Sequence, residues 1–288
     1  LETRSSDQRS TENAALLNDI LNLAVNLDGY KAILGSVDLS TFKSLEDLSS
    51  LPVLRKSELS EKQVKGNLLG GYSTKKPYDF AHIFQSPGPI YEPGGVSHDW
   101  WRIGRFLHAL NIGKGDILHN CFSYHLTPAG IIFESGARAV GAAVVPAGVG
   151  QTELQVRAAS DIGSNVYSGT PDYLKIILDK ADEMGERLSF NRAAVGGGAL
   201  FPSLRQEYAD RGIVCRQNYA TADLGNVAYE SEAIDGMIVD EGVILEIVTP
   251  GTGNPVPIGE VGEVVVTSLN TDYPLIRFAT GDLSAFME

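Results

Sequence analysis

The sequence predicts an α/β protein: two lobes of mainly parallel sheet flanked by helices, followed by a short all-β, barrel-like segment. Three observations predict it. Strand-like and helix-like apolar periods alternate from Phe80 to about Gln217, which demands crossover connections and hence parallel pairing. After Asp223 the helical period stops, and short apolar runs separated by turn residues take over. The 288 residues are 43% hydrophobic and 20% charged, enough apolar side chain for a full core.

Residues 1–78 read as an N-terminal helical segment. Asn18-Asp19-Ile20-Leu21-Asn22-Leu23-Ala24 sets apolar side chains at helical spacing, and Leu51-Pro52-Val53-Leu54-Arg55-Lys56-Ser57-Glu58-Leu59 is a turn entering a short helix. Gly70-Gly71-Tyr72-Ser73-Thr74-Lys75-Lys76-Pro77 reads as a linker. A first α/β lobe spans 79–188, where strands at 81–84, 117–122, 142–145 and 166–167 alternate with helices at 99–110, 129–140, 152–162 and 171–184. The last helix opens on Pro171, where the missing N–H costs nothing. A second lobe, 189–225, holds strands at 192–195 and 214–217 around one helix. Residues 226–288 form the β-rich segment, with strands at 227–229, 236–239, 243–248, 262–267 and 275–278.

Lys and Arg number 23 against 36 Asp and Glu, a net charge of −13. From Ala222 onward twelve acids accompany one base, Arg277, so the preceding residues are nearly neutral. This balance argues against nucleic acid and anionic membrane as partners, since both require a basic surface. Two cysteines, Cys121 and Cys215, are too few for a disulfide framework or a cysteine zinc site and read as buried thiols of a reduced, cytoplasmic protein. The N-terminus shows no signal peptide, and no apolar run approaches the ~20 residues of a membrane span. The missing initial Met is read as a sign of a trimmed chain.

Several short motifs carry chemistry. Gly196-Gly197-Gly198 lies between a strand and a helix, where glycines let a ligand approach the backbone. Thr280-Gly281-Asp282 presents a carboxylate at a turn, suited to accepting hydrogen bonds from a diol. His125, in Ser123-Tyr124-His125-Leu126-Thr127-Pro128, follows a strand and is a candidate for an acyl pocket. The five histidines show no metal-ligand spacing.

Taken in order, the Leu51 to Leu59 stretch, the glycine turn, Tyr219 to Asp223, Gly259-Glu260-Val261-Gly262-Glu263 and Pro274-Leu275-Ile276-Arg277-Phe278-Ala279-Thr280-Gly281-Asp282 resemble the adenylate-forming (AMP-binding) enzymes, and among them the phenylacetate–CoA ligase branch. The resemblance covers the chain from about Leu51 to its end. It implies a two-step ligase: ATP and an aromatic or other organic carboxylic acid give an acyl-adenylate and pyrophosphate, and a thiol, usually that of coenzyme A, then takes the acyl group. It further implies that Gly196, Gly197 and Gly198 line the adenine pocket and that Tyr219, with Ala220 and Thr221, lies against the base. By the same resemblance Asp223 helps hold Mg2+ in the catalytic step, Asp282 binds the ribose hydroxyls, and Ser86 and Gly88 belong to the phosphate loop. A homodimer is an expectation from the family alone.

The pattern is broken in places. The phosphate loop reads Gln85-Ser86-Pro87-Gly88-Pro89-Ile90-Tyr91-Glu92-Pro93, with three prolines that lack N–H donors and Glu92 at the family's lysine position. The family's Tyr-Gly-x-Thr-Glu reads Tyr219-Ala220-Thr221-Ala222-Asp223, and Ala279 stands where relatives often have a second Arg. These departures raise a second expectation, a protein that binds adenylate or acyl-CoA without pyrophosphate chemistry. The chain ends six residues after Asp282, so the family's small C-terminal domain, which brings the lysine of adenylation, is expected to lie outside it. The local acidity predicts that such a domain is basic.

Overall fold

The computed structural model describes residues 3–287 apart from 36, 40, 41 and 43. The chain divides into two compact units, Leu1–Gly95 with Glu241–Glu288, and Val96–Asp240. The first begins with helix α1 (Ser6–Ala24), whose Ser5 side chain caps it by accepting from the Gln8 N–H. Leu17, Ile20, Leu21 and Ala24, at helical spacing, form its buried face. Helix α2 (Lys31–Leu34), strand β1 (Leu54–Arg55), helix α3 (Lys56–Lys62) and the hairpin β2 (His82–Ser86) and β3 (Ile90–Gly94) follow.

The second unit alternates strand and helix: α4 (Ile103–Ala109), β4 (Ile117–Asn120), α5 (Ala129–Ala139), β5 (Ala143–Pro146), α6 (Thr152–Ile162), β6 (Val166–Gly169), α7 (Pro171–Met184), β7 (Arg192–Val195), α8 (Pro202–Asp210) and β8 (Val214–Thr221). Two further strands, β9 (Gly225–Tyr229) and β10 (Ile238–Val239), close it, and the chain returns to the first unit with β11 (Val243–Val248), β12 (Gly262–Ser268) and β13 (Phe278–Ser284).

The first unit is built on a four-stranded sheet in the order β1-β13-β12-β11. Strands β11, β12 and β13 pair antiparallel, and β1 runs parallel to β13 with Leu54 opposite Phe278. The helical segment therefore shares one core with the β-rich tail. The buried Tyr30 hydroxyl donates to the Pro274 carbonyl at 3.0 Å and accepts from the Ile276 N–H at 2.8 Å. Residues 70–77 are packed, unlike the linker the glycines suggest. Tyr72 is fully buried with its ring edge on Tyr30, its hydroxyl accepts from Lys62, and the Thr74 N–H donates to the Asp272 carbonyl.

Arg277 is the anchor of this unit. It is 1% exposed and has a left-handed backbone, φ 46°, an uncommon conformation for a side chain of this size. Its guanidinium grips both Glu246 carboxylate oxygens at 3.0 Å. It also donates to the carbonyls of Ser49, Leu51 and Gly253. Burial pushes the Glu246 carboxyl above the ordinary carboxylate range, against the pull of Arg277.

The second unit holds a seven-stranded sheet in the order β5-β4-β6-β7-β8-β9-β10, the first five parallel and the last two antiparallel. Helices α6, α7 and α8 seal one core, with Tyr167, Leu174, Ile177, Val195, Tyr208 and Cys215 buried. The mainly parallel, helix-flanked sheet and the β-rich tail match the predicted class. The division at residue 188 falls inside this sheet: β6 and β7 pair directly, Val166 with Arg192 through Gly169 with Val195. Strands β9 and β10 also join this sheet, because β8 would otherwise leave its backbone groups without a ladder partner. Trp100 and Trp101 are buried ahead of α4, which starts only after the left-handed Arg102.

Two stability outcomes follow. Arg277→Met strands Glu246 and three carbonyls and is expected to cost ~3–5 kcal/mol in urea unfolding at pH 7. Burial raises the Glu246 pKa and Arg277 lowers it, so losing Arg277 raises it further, and the cost should shrink as pH falls and the stranded carboxyl takes a proton. Asp99, which caps α4 through the Gly104 N–H, is pushed by burial from 3.8 to about 6. Its protonated form is favoured by the fold, so its contribution is full below the unfolded value and lost as pH rises through about 6. Asp99→Asn keeps the acceptor without the titration, so wild type should lose ~2–3 kcal/mol relative to it between pH 4 and 7, read from unfolding at each pH.

Candidate active site

Open α/β sheets bind ligands beyond the C-terminal ends of their strands, and in the second unit three such ends gather the predicted residues. Gly196, Gly197 and Gly198 follow β7; Tyr219, Ala220 and Thr221 end β8; Asp223 sits in the β8–β9 turn; His125 lies in the loop after β4. β7 and β8 are neighbours, and β4 is two strands from β7. Ser86, Gly88 and Asp282 belong to the first unit, the first two at the β2–β3 turn and the last on β13.

The glycine turn is held from below. Gly196 continues β7 beside Asn218 of β8, and a Cβ on Gly196 would lie 2.4 Å from Asn218 Oδ1. Asn218 cannot easily yield, because its Nδ2 donates to Asn226 Oδ1 at 3.1 Å. Asn226 in turn donates to Asp240 at 3.2 Å, and Asp240, 2% exposed, accepts from Arg102 Nε at 2.8 Å. Arg102 also donates to the carbonyls of Leu224 and Asn226. Asp240 can only accept, which orients both amides of the chain. Gly197 has φ 69°, the left-handed region open to glycine.

Asp223 is 5% exposed, beside Thr221, whose hydroxyl accepts from the Leu224 N–H at 3.1 Å. Among the described residues no group of three or more His, Cys, Asp or Glu side chains is placed to hold a metal ion by itself. A single carboxylate suits Mg2+, which keeps waters and takes the rest of its shell from substrate phosphates.

His125 is exposed, on a loop fixed by residues that sequence reading passed over. Asn120 donates to the Tyr124 hydroxyl and the Gly130 carbonyl, both at 2.8 Å, and accepts from Ser168 at 3.1 Å and the Phe122 N–H at 3.2 Å. The available signal was a polar side chain in the apolar run Ile117-Leu118-His119-Asn120-Cys121-Phe122. Nearby, Gln155 accepts from the Cys121 thiol at 3.1 Å and lies 3.2 Å from His119 Nε2. Burial raises both thiols, Cys215 to about 12, and lowers His119, so these groups are structural rather than reactive.

In the first unit the phosphate-loop stretch is a regular hairpin, with Ser86 opposite Ile90 and Phe84 opposite Glu92. Its second strand is clasped by Gln63, which donates to the Tyr91 carbonyl and accepts from the Tyr91 N–H, each at 2.8 Å. Glu92 is 1% exposed and accepts from the Ser86 hydroxyl. Between Ser86 and Ile90 only Gly88 carries an N–H, so the turn offers no row of donors. Asp282 is exposed, and its N–H donates to Thr280 Oγ1.

No family model matches the chain. It is 29% identical over 274 residues to the phenylacetate-coenzyme A ligase of Thermus thermophilus, covering 88% of this chain and 60% of that protein. To those of Escherichia coli K12 and Pseudomonas putida it is 29% and 27% identical, covering 59% and 58% of their lengths. The chain thus spans about 60% of the curated relatives it matches. Among solved structures, a 2-hydroxyisobutyryl-CoA ligase in the postadenylation state with 2-HIB-AMP superimposes with a TM-score of 0.91 at 23% identity, over 99% of this chain and 65% of that one. ATP-bound MatB from Rhodopseudomonas palustris gives 0.56 at 18% identity, over 74% and 47%. Likeness at these identities concerns the fold.

Gly196→Ala should force Asn218 aside and loosen its chain to Asp240, with ~1–3 kcal/mol lost from stability. The readout is the melting temperature of the variant against wild type, and an unchanged value would show that Asn218 yields to the added methyl group without cost.

Proposed function

We propose that the chain belongs to the phenylacetate–CoA ligase-like branch of the adenylate-forming superfamily and supplies the large N-terminal part of an ATP-dependent, AMP-forming acid–CoA ligase. The observation that carries the proposal is the convergence of the glycine turn, Tyr219 and Asp223 at adjacent strand ends of one sheet. An oxygen of the substrate carboxylate attacks the α-phosphorus of ATP and pyrophosphate leaves. The coenzyme A sulfur then attacks the acyl carbon and AMP leaves. In this reading the residues at 196–198 and Tyr219 hold the base, Asp282 the ribose, and Ser86 and Gly88 face the phosphates. Mg2+ at Asp223 would offset the negative charge of the phosphates during attack. His125 borders the acid, which in this branch is aromatic. Among the described residues no helix is long and apolar enough to cross a membrane, and two buried free thiols favour a reduced cytoplasmic setting.

A second reading, a protein that binds adenylate or acyl-CoA without releasing pyrophosphate, is favoured by the buried Ser86–Glu92 pair. The carboxylate occupies the hydroxyl that a phosphate would otherwise take and repels a polyanion. Calorimetry with AMP, ATP and a non-hydrolysable acyl-adenylate tests the shared premise, which fails if none binds. Pyrophosphate release over a panel of aromatic acids then separates the readings, with turnover favouring the ligase. Glu92→Gln is expected to strengthen ATP binding about tenfold, or ~1.4 kcal/mol, and to leave AMP unchanged. Equal shifts for both nucleotides would show that Glu92 does not sense the outer phosphates.

A further inference from the structure

The outer edge of the second unit carries an apolar face that the unit itself leaves uncovered. Strand β5 ends the seven-stranded sheet and pairs with β4 alone. It is four residues long and closes on Pro146, which has no N–H, so this edge does not invite a further strand. The exposed apolar side chains lie instead on α6, the helix that follows. Leu154 and Ile162 are 64% and 46% exposed, with Ala158 half-buried between them. Val149, in the loop leading into the helix, is 65% exposed.

Helical spacing fixes where this stripe points. Gln155, Val156 and Ala159 are buried and turn toward the sheet. Glu153 and Ser160, seven residues apart and hence on one side of the helix, turn toward α7. The Ser160 hydroxyl donates to Glu186, just beyond the end of α7, at 2.8 Å, and the charge of Glu153 acts on Lys180. Leu154, Ala158 and Ile162, each four residues from the next, occupy the side away from α7. Because α6 leads from β5 to β6 and crosses β4 on the way, that side overlooks the β5 edge. Arg157 and Asp161 border the stripe toward solvent. Both are exposed, and among the described residues neither forms an ion pair. The base precedes the acid by four residues, the less favourable order for pairing within one helix.

We propose that this face binds a second copy of the chain, the two α6 helices lying antiparallel about a two-fold axis at Ala158. A two-fold interface has to complement itself, and this stripe does. About that axis Leu154 meets Ile162 of the partner subunit, and Ile162 meets Leu154 of the partner subunit. Ala158 meets its own counterpart and is small enough for the helices to approach closely. Arg157 stands across from Asp161 of the partner subunit, offset by about 3 Å along the helix, within reach of an arginine side chain. The symmetry makes that ion pair twice. An unrelated partner would have to bring this order of bulk and charge, whereas a second copy already carries it. The face lies on α6 and not at the strand ends that bear the glycine turn, so the proposal does not rest on the nucleotide chemistry.

Sedimentation equilibrium of the full chain over a concentration series provides the test. Wild type should show a monomer–dimer equilibrium. Ala158→Arg sets two cations against each other at the axis and should leave only monomer. Arg157→Glu and Asp161→Arg should each weaken the dimer about tenfold. The double variant restores both pairs with their signs exchanged and should recover the wild-type association. Should Ala158→Arg not fold, the two charge reversals, at exposed positions, decide alone. A chain that stays monomeric up to about 1 mM would overturn the proposal and leave the face to a partner other than this chain. A dimer that persists in Ala158→Arg, single reversals without effect, or a double variant that does not recover would overturn it as well. So would an open-ended assembly, which a two-fold contact cannot build.

Discussion

The second unit depends on one buried carboxylate. Asp240 is 2% exposed and receives Arg102 directly and Asn218 through Asn226. A carboxylate out of water needs its lone pairs met, and here the donors come from the turn before α4 and from two neighbouring strands. Meeting that need fixes the β8–β9 hairpin against the start of α4. It also parks the Asn218 carbonyl where only a glycine can stand at 196. The small residues of the turn and the charge pair behind them are thus parts of one arrangement, and the accessible face of the glycine turn is its consequence.

That arrangement explains which parts of the protein could be read in advance. The strand–turn–helix around Gly196 and the alternation from Phe80 onward are local patterns, and local patterns survive in a linear text. The polar chain was invisible because Arg102, Asn218, Asn226 and Asp240 are ordinary residues whose meaning arises only when three elements meet. The misread linker has the same origin. Gly70 and Gly71 announce a bend truthfully, but Tyr72 is buried by Tyr30 and held by Lys62, partners that no local window joins. Boundaries suffered most, since β1 pairs with β13 across more than two hundred residues and β9 follows β8 into its sheet rather than joining the tail.

The phosphate-loop stretch shows a different kind of legibility. Composition alone flagged the prolines and Glu92 as departures, and a carboxylate beside phosphates is unfavourable wherever it points. The hairpin adds that Glu92 is inside it, engaged with the one hydroxyl of the turn. A surface acid would be screened by salt and could swing away. A buried one stays, so its effect on an approaching polyanion is built into the backbone pairing of β2 and β3.

The acidity of the last third also changes meaning once partners are known. Twelve acids with one base suggested a surface waiting for positive charge from a further domain. Six of those acids already have cations. Glu246 holds Arg277, Glu241 holds Arg4 and Arg9, Asp240 holds Arg102, Glu230 holds Arg205, Glu263 faces Arg55 and Asp272 faces Lys75. Apart from Arg277, every one of these bases comes from the nearly neutral first 221 residues. The imbalance along the sequence is therefore largely a separation of partners: each unit folds by bringing its late acids to its early bases. The charge left to solvent and counter-ions is therefore smaller than the linear count implies.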